Sequence, residues 1–321
     1  MYSNIIRHSG KDIEKILTDT LGKEYLNYRK LWNSINYNNV LPFPIHIDFE
    51  VIDKCNQRCI MCPRNAKKHP DTSYSLNTGK VLDYERFKDV IDEGVNKGML
   101  SINLGAFAEP LLSNKVFEMI KYAHDKGVID SRLITNGLFL DRYVDDVFNS
   151  GLVNLFVSID AFSEEKYLKI RGKGFKKVKN NLFDMIEEKK IRDSLLPIIR
   201  VSFVDMDINK EEKDGFIEFW TDKVDYVDIQ VYDNFNLDIA KPCKTNKAKK
   251  WECKSPWARL AILTNGDILP CCSFFGRNIP IGNITDTTIE DAWNSKALQL
   301  VREGVLKDNL PNCSICQRIG W

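Results

Sequence analysis

The sequence has no long hydrophobic run and almost no net charge, and each absence argues against a class of function. Nowhere in its 321 residues is there an apolar stretch of the roughly 20 positions that a membrane-spanning helix needs. The amino-terminal residues, 1–8, lack the apolar core of a secretory signal. A formal net charge of +1 argues against a nucleic acid or a membrane surface as the main partner. We therefore expect a cytoplasmic protein that binds neither nucleic acid nor membrane.

The cysteines are the unusual part of an otherwise ordinary composition. Charged residues make up 28% and hydrophobic residues 43%, as in many globular proteins, and the length suits one barrel-sized domain with an appendage. The nine cysteines are an odd number in a chain without an export signal. In such a chain, cysteines serve as thiolate ligands more often than as disulfides.

Three of these cysteines lie in one short loop. Cys55, Cys59 and Cys62 occupy the stretch Cys-Asn-Gln-Arg-Cys-Ile-Met-Cys, directly after the alternating apolar run 45–52, which predicts a β-strand. Three thiolates can hold three irons of a 4Fe-4S cluster and leave the fourth iron open to a substrate or cofactor. The alternatives are zinc, whose sites usually show two matched cysteine pairs, and buried cysteines that only pack.

The loop resembles the signature of the radical S-adenosylmethionine (radical SAM) superfamily, in which three cysteines at this spacing follow the first strand. The resemblance implies that the open iron chelates the amino acid end of SAM. It also implies that a one-electron donor, such as flavodoxin or ferredoxin, supplies the electron that splits SAM into methionine and a 5′-deoxyadenosyl radical. Met61 stands where the family often has an aromatic residue, and the family uses the backbone of this position near the adenine.

Predicted strands and helices alternate beyond the cysteine loop, which favours an α/β fold. Six strand-helix repeats imply a parallel sheet with right-handed crossovers, here a partial (β/α)6 TIM-like barrel with its chemistry at the carboxyl ends of the strands. We expect a helical lead-in (1–44), the barrel (45–240) and a small subdomain with a β-hairpin and a helix (241–321). The predicted strands are 45–52, 100–104, 131–135, 153–159, 198–204 and 226–231, and the predicted helices are 13–21, 25–35, 84–97, 114–126, 141–150, 175–190 and 213–222.

Four residues at later strand ends resemble the SAM contacts of the family. Glu109, in Gly-Ala-Phe-Ala-Glu-Pro after the second strand, resembles the Gly-Gly-Glu-Pro segment for the SAM amino group, and a carboxylate suits an ammonium. Asn136 and Ser158, at the third and fourth strands, are similar to contacts with the ribose or carboxylate of SAM. Arg171 stands where relatives often place a basic residue against the SAM carboxylate. Asn136 and Ser158 could instead be turn formers.

A second group of cysteines lies near the carboxyl end. It surrounds a predicted hairpin over 260–269, with an Asn-Gly turn, and a predicted helix over 289–302. On spacing alone, four thiolates suit either a second 4Fe-4S cluster or a structural zinc ion. The arrangement resembles the twitch subdomain, the shortened form of the SPASM extension, which implies an auxiliary 4Fe-4S cluster. The four cysteines are Cys253, Cys271, Cys313 and Cys316.

The resemblance indicates the chemistry but leaves the substrate open. Twitch-bearing relatives include an alcohol dehydrogenase acting on an aminocyclitol, so we expect a radical SAM oxidoreductase of the dehydrogenase type. Its small-molecule substrate would be oxidised at a secondary alcohol of a sugar or cyclitol.

Three alternatives remain open. Of the two leftover cysteines, Cys243 and Cys272, the second either packs on the hairpin or acts catalytically by giving a hydrogen atom to a substrate radical, as in an epimerase. The chain could also be a peptide maturase, although residues 1–44 are too short for the separate leader-recognition domain of many such enzymes. The non-enzymatic alternative is an iron-sulfur redox sensor or a metal-binding scaffold.

Overall fold

One ten-stranded sheet organises the computed structural model, which describes residues 5–65, 77–231, 253–311 and 313. Its strands are β1 (Ile5–His8), β2 (His46–Phe49), β3 (Ser101–Leu104), β4 (Asp130–Thr135), β5 (Asn154–Ser158), β6 (Ile198–Asp205), β7 (Tyr226–Val231), β8 (Arg259–Ile262), β9 (Asp267–Leu269) and β10 (Gly282–Asn283). They lie in the order β1-β7-β6-β5-β4-β3-β2-β8-β9-β10. The run from β2 to β7 is parallel throughout.

Helices connect the successive parallel strands, which confirms the predicted partial barrel. They are α1 (Ile13–Ser34), α2 (Tyr84–Asn96), α3 (Val116–Lys126), α4 (Val144–Asn149), α5 (Glu164–Ile170), α6 (Phe175–Ile191), α7 (Lys213–Thr221), α8 (Ser255–Ala258), α9 (Ile289–Asn294) and α10 (Lys296–Leu306). Because consecutive strands are parallel neighbours, their carboxyl ends meet at one rim, where the predicted cysteine loop follows β2.

The two faces of the parallel sheet differ in polarity. On β2, Ile47 and Phe49 are fully buried in the apolar core beneath the helices. The alternate residue, Asp48, pairs in register with Asn103 of β3, which in turn pairs with Arg132 of β4. Side chains two apart on a strand share a face, so the opposite face carries polar and charged groups. This polar face is the inner surface of the partial barrel.

Helix α1 covers the amino end of the polar face. The Tyr28 hydroxyl donates a hydrogen bond to Asp130 at 3.1 Å, and the Trp32 ring meets the His46 ring edge-on at 5.8 Å. The helix breaks at Gly22, whose φ of 73° is left-handed, so the lead-in, predicted as one or two helices over 13–21 and 25–35, is one kinked element. With α1 at the amino end, the other end of the polar face is the carboxyl rim of the strands.

Several elements depart from the sequence-based expectation. The lead-in contains strand β1, which pairs antiparallel with β7, in addition to its helix. Helix α5 was not expected, and the helix predicted over 289–302 is two helices that meet at Ser295, the N-cap of α10. Short elements such as β1 and α5 carry too few residues for a clear hydrophobic period, which is why the pattern missed them.

The predicted hairpin forms, with β8 and β9 antiparallel, and it extends the barrel sheet. Strand β8 pairs in parallel with β2, from His46 opposite Arg259 to Phe49 opposite Ile262. Without β8, the first barrel strand would present an unpaired edge. The predicted boundary between residues 240 and 241 lies outside the described residues, so it stays a prediction. Among the described helices, none has the length and apolarity needed to cross a membrane.

Candidate active site

The loop after β2 holds the three predicted cysteines close to one another. Cys59 is buried, and Cys55 and Cys62 are partly buried. The backbone N–H of Cys62 donates to the Cys59 carbonyl at 3.1 Å, and the side chain of Asn65 donates to the same carbonyl at 3.2 Å. These bonds close the loop into a turn that leads into a short 3-10 helix over Pro63–Asn65. The fold therefore presents three thiols on one compact loop.

Burial and mutual proximity make these thiols poor acids in the absence of a metal. Burial raises the pKa of Cys59 to about 12, and burial likewise raises the pKa of Cys55 and of Cys62. Cys55 and Cys62 each raise the pKa of Cys59 further, so the three groups lie within electrostatic reach. Coordination by iron would remove these protons, since a metal-bound thiol is a thiolate.

The donor set of this loop, three thiols and no other metal ligand, suits a 4Fe-4S cluster. Each iron of such a cluster takes its own cysteine, so three thiols hold three irons and leave the fourth open. A structural zinc ion usually takes four protein ligands. In the described part of the chain, no group of three or more His, Cys, Asp or Glu side chains is arranged to hold a single metal ion.

Glu109 lies beside this loop, where its backbone N–H donates to the Lys54 carbonyl at 3.1 Å, and its side chain is buried. Its carboxylate accepts bonds from the Thr135 hydroxyl at 2.7 Å, the Asn136 backbone N–H at 2.7 Å and the Leu111 backbone N–H at 3.1 Å. Burial raises the pKa of Glu109, and these three donors oppose that rise. Its segment starts at Gly105, where a Cβ would stand 2.3 Å from the Ile134 carbonyl oxygen. Only glycine allows this close approach, which aims the carboxylate at the rim.

Asn136 connects the end of β4 to the cysteine loop. Its side-chain amide donates to Asn56 at 2.7 Å, and its side-chain oxygen accepts from the backbone N–H of Leu138 at 3.1 Å. Asn136 is therefore a turn former, as the alternative interpretation held, and its side chain also reaches the residue after Cys55. Ser158, at the end of β5, is partly exposed at the same rim. Their contacts with SAM stay predictions.

Met61 lies on the inner side of the cysteine loop. It is buried in a small apolar cluster with Cys59, Ile170 and Met206. The neighbouring Ile60 donates its backbone N–H to the Ile170 carbonyl at 2.9 Å, which ties the loop to the end of α5. The Met61 side chain thus serves packing, and its predicted role near the adenine stays a prediction about the backbone.

Arg171 is buried at the carboxyl end of α5, and its partners belong to the protein itself. Its Nε donates to Asp160 at 2.7 Å, and Nη2 also pairs with this carboxylate. Its Nη1 lies 3.4 Å from the side-chain oxygen of Gln57 and 3.7 Å from the sulfur of Cys59. Burial alone would lower the pKa of Arg171, but Asp160 raises it well above its usual range. The side chain is therefore a fixed cation beside Cys59.

The second predicted site is described only in part. Cys316 and Cys243 lie outside the described residues, whereas Cys253, Cys271 and Cys313 are partly buried near the hairpin. Cys253 lies close enough to Cys313 to raise its pKa, which burial raises to about 11. A Cβ at Gly276 would stand 2.9 Å from the Cys271 sulfur, so this glycine leaves space for that side chain.

Cys272 lies beside a charged pair. Its sulfur lies 3.6 Å from Nη1 of Arg259, the first residue of β8, and Arg259 pairs in turn with Asp48 at 3.5 Å. Burial raises the pKa of the Cys272 thiol to about 11, and Arg259 opposes this rise. The structure thus places Cys272 against a charged pair of the polar face, next to the hairpin that carries Cys271.

The polar face of the barrel is a possible substrate site that was not predicted from the sequence. Asn103 donates to Asp48 at 2.7 Å, and Asn154 donates to Asp130 at 2.7 Å. The side-chain oxygen of Asn103 is buried and has no hydrogen-bond partner. The signal was present in the sequence: β2 and the residue after it alternate polar and apolar as His-Ile-Asp-Phe-Glu.

Two parts of the chain, the barrel and the carboxyl-terminal region, are similar to known protein families. The sequence pattern of the radical SAM superfamily matches residues 49–200, and that of the SPASM iron-sulfur cluster-binding domain matches residues 253–318. The GTP 3′,8-cyclase of Thermodesulfovibrio yellowstonii is 30% identical over 193 residues, which are 60% of this chain and 56% of that protein. The 7,8-dihydro-6-hydroxymethylpterin dimethyltransferase of Methanocaldococcus jannaschii is 27% identical over 64% of this chain and 40% of that protein. The chain thus spans about half the length of the curated relatives it matches, or less.

Solved structures agree in fold. SuiB of Streptococcus suis, bound to the precursor peptide SuiA, superposes with a TM-score of 0.64 at 15% identity, covering 87% of this chain and 71% of SuiB. BtrN in complex with AdoMet and 2-DOIA superposes with a TM-score of 0.53 at 17% identity, covering 81% and 86%. The two matched domains imply SAM and 4Fe-4S clusters as cofactors. The chain belongs to the radical SAM superfamily and carries a SPASM-type iron-sulfur cluster-binding domain at its carboxyl end.

Proposed function

We propose that this radical SAM enzyme oxidises a secondary alcohol of a sugar or cyclitol, as a dehydrogenase-type oxidoreductase. The observation that supports this is the polar face of the barrel, which is charge-balanced, rich in hydrogen-bonding groups and adjacent to the rim that carries Cys55, Cys59 and Cys62. In this proposal, those three cysteines hold the first cluster. The auxiliary cluster is held by Cys253, Cys271, Cys313 and Cys316.

The clusters and SAM supply the radical chemistry when bound: one electron splits SAM, and the electron released by the substrate is accepted at the auxiliary site. The chain binds and orients the reactants. The buried carboxylate of Glu109 accepts hydrogen bonds from the SAM ammonium, and Asn136, Ser158 and the backbone of Met61 hold the ribose, carboxylate and adenine. Glu109 and Asn136 are buried. A buried site also excludes competing hydrogen donors from the reacting carbon.

The charges of the polar face favour a neutral, hydroxylated substrate over an anionic one. Each interior arginine already has a carboxylate partner, so little positive charge is left for a phosphate. The acceptor groups of Asp48, Asn103 and Asn154 are suited to the hydroxyl protons of a polyol, and the Asn103 side-chain oxygen has no partner within the protein. The pairs are Arg132 with Asp130 at 2.8 Å, Arg200 with Asp228 at 3.2 Å and Arg259 with Asp48 at 3.5 Å.

The reaction balances as a two-electron oxidation. The SAM-derived radical would take the carbon-bound hydrogen of the alcohol as an atom, the hydroxyl proton would leave to water, and the auxiliary cluster would accept the remaining electron, so that a ketone would form. A small external protein such as flavodoxin or ferredoxin provides the electron that starts each turnover. The proposal also keeps the cytoplasmic location and the boundaries 1–44, 45–240 and 241–321 as predictions.

Anaerobic turnover with deuterated candidates tests the proposal. Reconstituted protein, SAM and dithionite are incubated with cyclitols and sugars that carry deuterium at one carbinol carbon. We expect deuterium in 5′-deoxyadenosine and an equal amount of ketone, trapped with a hydrazine reagent. The triple variant Cys55→Ala, Cys59→Ala, Cys62→Ala is the control and should form neither. Deuterium transfer from a nucleotide or pterin, with none from any polyol, would refute the alcohol substrate while leaving radical chemistry in place.

A second function, epimerisation, is favoured by the contact between Cys272 and Arg259. A thiol beside the polar face could return a hydrogen atom to the substrate radical, which inverts the carbon and leaves no ketone. In deuterated water the inverted carbon would then carry deuterium, since a thiol exchanges its hydrogen with solvent. The variant Cys272→Ala should abolish inversion if this function is real, whereas a dehydrogenase would keep its ketone yield.

A further inference from the structure

The guanidinium of Arg171 lies 3.7 Å from the sulfur of Cys59, a predicted cluster cysteine, and Asp160 fixes its position. Asp160, which binds its Nε and Nη2, is fully buried. The other oxygen of Asp160 accepts the backbone N–H of Val204 at 2.8 Å, and its carbonyl accepts the side chain of Asn209 at 2.7 Å. Asp160 itself has a φ of 61°, a left-handed conformation that these contacts hold. The guanidinium therefore cannot move without disturbing a buried network.

The remaining edge of the guanidinium faces the cysteine loop. Nη1 lies 3.4 Å from the side-chain oxygen of Gln57 and 3.7 Å from the Cys59 sulfur, so its two hydrogens have acceptors within the protein. Gln57 is oriented in turn by its amide, which donates to the Tyr167 hydroxyl at 2.8 Å. Helix α5 supplies Tyr167, and Arg171 follows directly at its end. Binding the SAM carboxylate, the role that the resemblance implied, would require Arg171 to give up contacts it already makes.

A fixed positive charge beside a cluster thiolate has a definite electrostatic effect. Adding an electron to a cluster makes it more negative, and a nearby cation stabilises that reduced state more than the oxidised one. Hydrogen bonds to the sulfur act in the same direction. Both effects are large where burial lowers the local dielectric, and the Cys59 side chain is buried.

We propose that Arg171 raises the reduction potential of the first cluster through the sulfur of Cys59, and that Asp160 limits this effect by holding and partly neutralising the guanidinium. This inference rests on the proposed cluster site at Cys55, Cys59 and Cys62. Arg171 is thus a positioning residue that acts through Cys59, and it makes the cluster easier to reduce by the external electron donor.

Two variants at Asp160 with opposite expected shifts, and one control, test the effect of Arg171 on the reduction potential. Asp160→Asn keeps the oxygen that accepts the Val204 N–H but leaves the charge of Arg171 uncompensated, so the potential should rise. The double variant Asp160→Asn, Arg171→Gln removes both charges, and because Arg171 is the nearer one, the potential should fall. We expect the equilibrium constant for reduction to fall about tenfold, which is about 59 mV for one electron. The matched control, Asp225→Asn with Lys189→Gln, neutralises a buried pair joined at 2.7 Å on the opposite side and should change nothing.

The measurement is a redox titration of the reconstituted protein by electron paramagnetic resonance, first without SAM. SAM is then added to identify the first cluster by its altered signal, and SAM affinity is determined separately. An unchanged potential in both Asp160 variants would overturn the inference, and so would an unchanged potential with weakened SAM binding, which would assign Arg171 to SAM. If the double variant fails to retain iron, the upward shift in Asp160→Asn alone decides. A wild-type protein without a SAM-sensitive signal would refute the proposed cluster site itself.

Discussion

Glu109 is the buried carboxylate at which the proposed SAM site can be tested. Its two oxygens accept three hydrogen bonds from Thr135, Asn136 and Leu111, yet burial still raises its pKa. Burial makes the ionised form of this carboxylate unfavourable, and a positively charged partner would stabilise that form. The SAM ammonium would be such a partner, and its arrival would stabilise the ionised form.

We predict that Glu109→Gln weakens SAM binding by about 10- to 100-fold, since a hydrogen bond to a charged group contributes about 1.5–3 kcal/mol. The amide has nearly the same volume but lacks the charge. The measurement is a SAM titration of the reconstituted protein, after iron content shows that the cluster is intact. Glu118→Gln, at an exposed carboxylate on α3, is the matched control and should bind SAM normally. An unchanged affinity in Glu109→Gln would remove Glu109 from the SAM site.

His46 makes the stability of the fold depend on pH. Burial lowers its pKa below the usual value of 6.5, although Asp48, 3.4 Å from its Nε2, opposes the change. The folded state therefore binds this proton more weakly than the unfolded state does. The contribution of the neutral His46 side chain to stability is fully present above about pH 6.5. This contribution is lost as the pH falls from 6.5 toward the pKa of His46 in the folded state, by at most about 1.4 kcal/mol per pH unit.

We predict that wild-type protein loses more stability between pH 7.5 and 5.5 than His46→Gln does. Urea unfolding at the two pH values measures this, and the difference between the two proteins isolates the imidazole from other titrating groups. Ser101→Ala, which removes the 2.7 Å partner of Nδ1 but keeps the imidazole, is the control and should retain the pH dependence. Equal losses in wild type and His46→Gln would show that His46 does not titrate in this range.

At this scale the sequence was informative where chemistry depends on residue type and order. The cysteine spacing and the register of Glu109 indicated residues that the fold brings to one rim. For Arg171 the sequence could not reveal the partner, because its ion pair with Asp160 forms only when the fold brings the two buried side chains together. The polar face was missed for a similar reason: Asp48, Asn103 and Asn154 come from separate strands and meet only when the sheet forms.

At the scale of elements, one ionic network joins the two cysteine regions. Glu50, just after β2, is buried and pairs with two arginines. One is Arg277, which follows Cys272 in the sequence. The other is Arg64, which follows Cys62 and whose Nη1 lies 3.5 Å from the Glu50 carboxylate. The guanidinium of Arg277 also lies 4.8 Å above the ring of Phe107, in the segment that leads to Glu109. Segments that are distant in sequence are thereby held together at the rim.

We predict that Glu50→Ala lowers the free energy of unfolding by about 3–5 kcal/mol, because it removes the carboxylate that pairs with the buried guanidinium of Arg277, whereas Arg64 keeps Asp53 at 2.6 Å. The double variant Glu50→Gln, Arg277→Met should cost less, since it removes the uncompensated charge and keeps the volume. Urea unfolding followed by circular dichroism measures both. If the single variant were no more harmful than the double one, the network would not stabilise the rim.

The elements that the sequence predicted well are the long periodic ones, and the reason is physical. Helices α2, α3 and α6 bury one apolar stripe against the sheet, so their period is visible in the sequence. Helix α5 has seven residues and is defined by its Ser163 cap, whose hydroxyl accepts from Lys166 at 3.2 Å. Its position is decided by tertiary contacts, such as that of Tyr167 with Gln57, which no local pattern contains.

At the scale of the whole molecule, the barrel and the carboxyl-terminal hairpin share one sheet. The sequence predicted a separate small subdomain because the composition changes after residue 240. The pairing of β8 with β2 was not predictable, since it joins residues more than 200 positions apart. The core is also shared: fully buried Leu260 and Trp293 belong to the same apolar cluster as Phe49 of β2. The iron-sulfur domain is thereby fixed to the strand that precedes the first cysteine loop.

This continuity predicts that the barrel and the hairpin unfold together. Leu260→Ala in β8 should cost about 2–5 kcal/mol, because it leaves a cavity in the shared core. The cost should appear equally in far-ultraviolet circular dichroism, which is dominated by the barrel, and in the ¹⁹F NMR signal of Trp257, which adjoins β8 and which fluorotryptophan labelling resolves from the other five tryptophans. Leu168→Ala, at a side chain that is 54% exposed, is the control and should leave both urea midpoints in place. A shift confined to the Trp257 signal would mean that the hairpin unfolds independently, and the shared sheet would then not couple the two cluster regions.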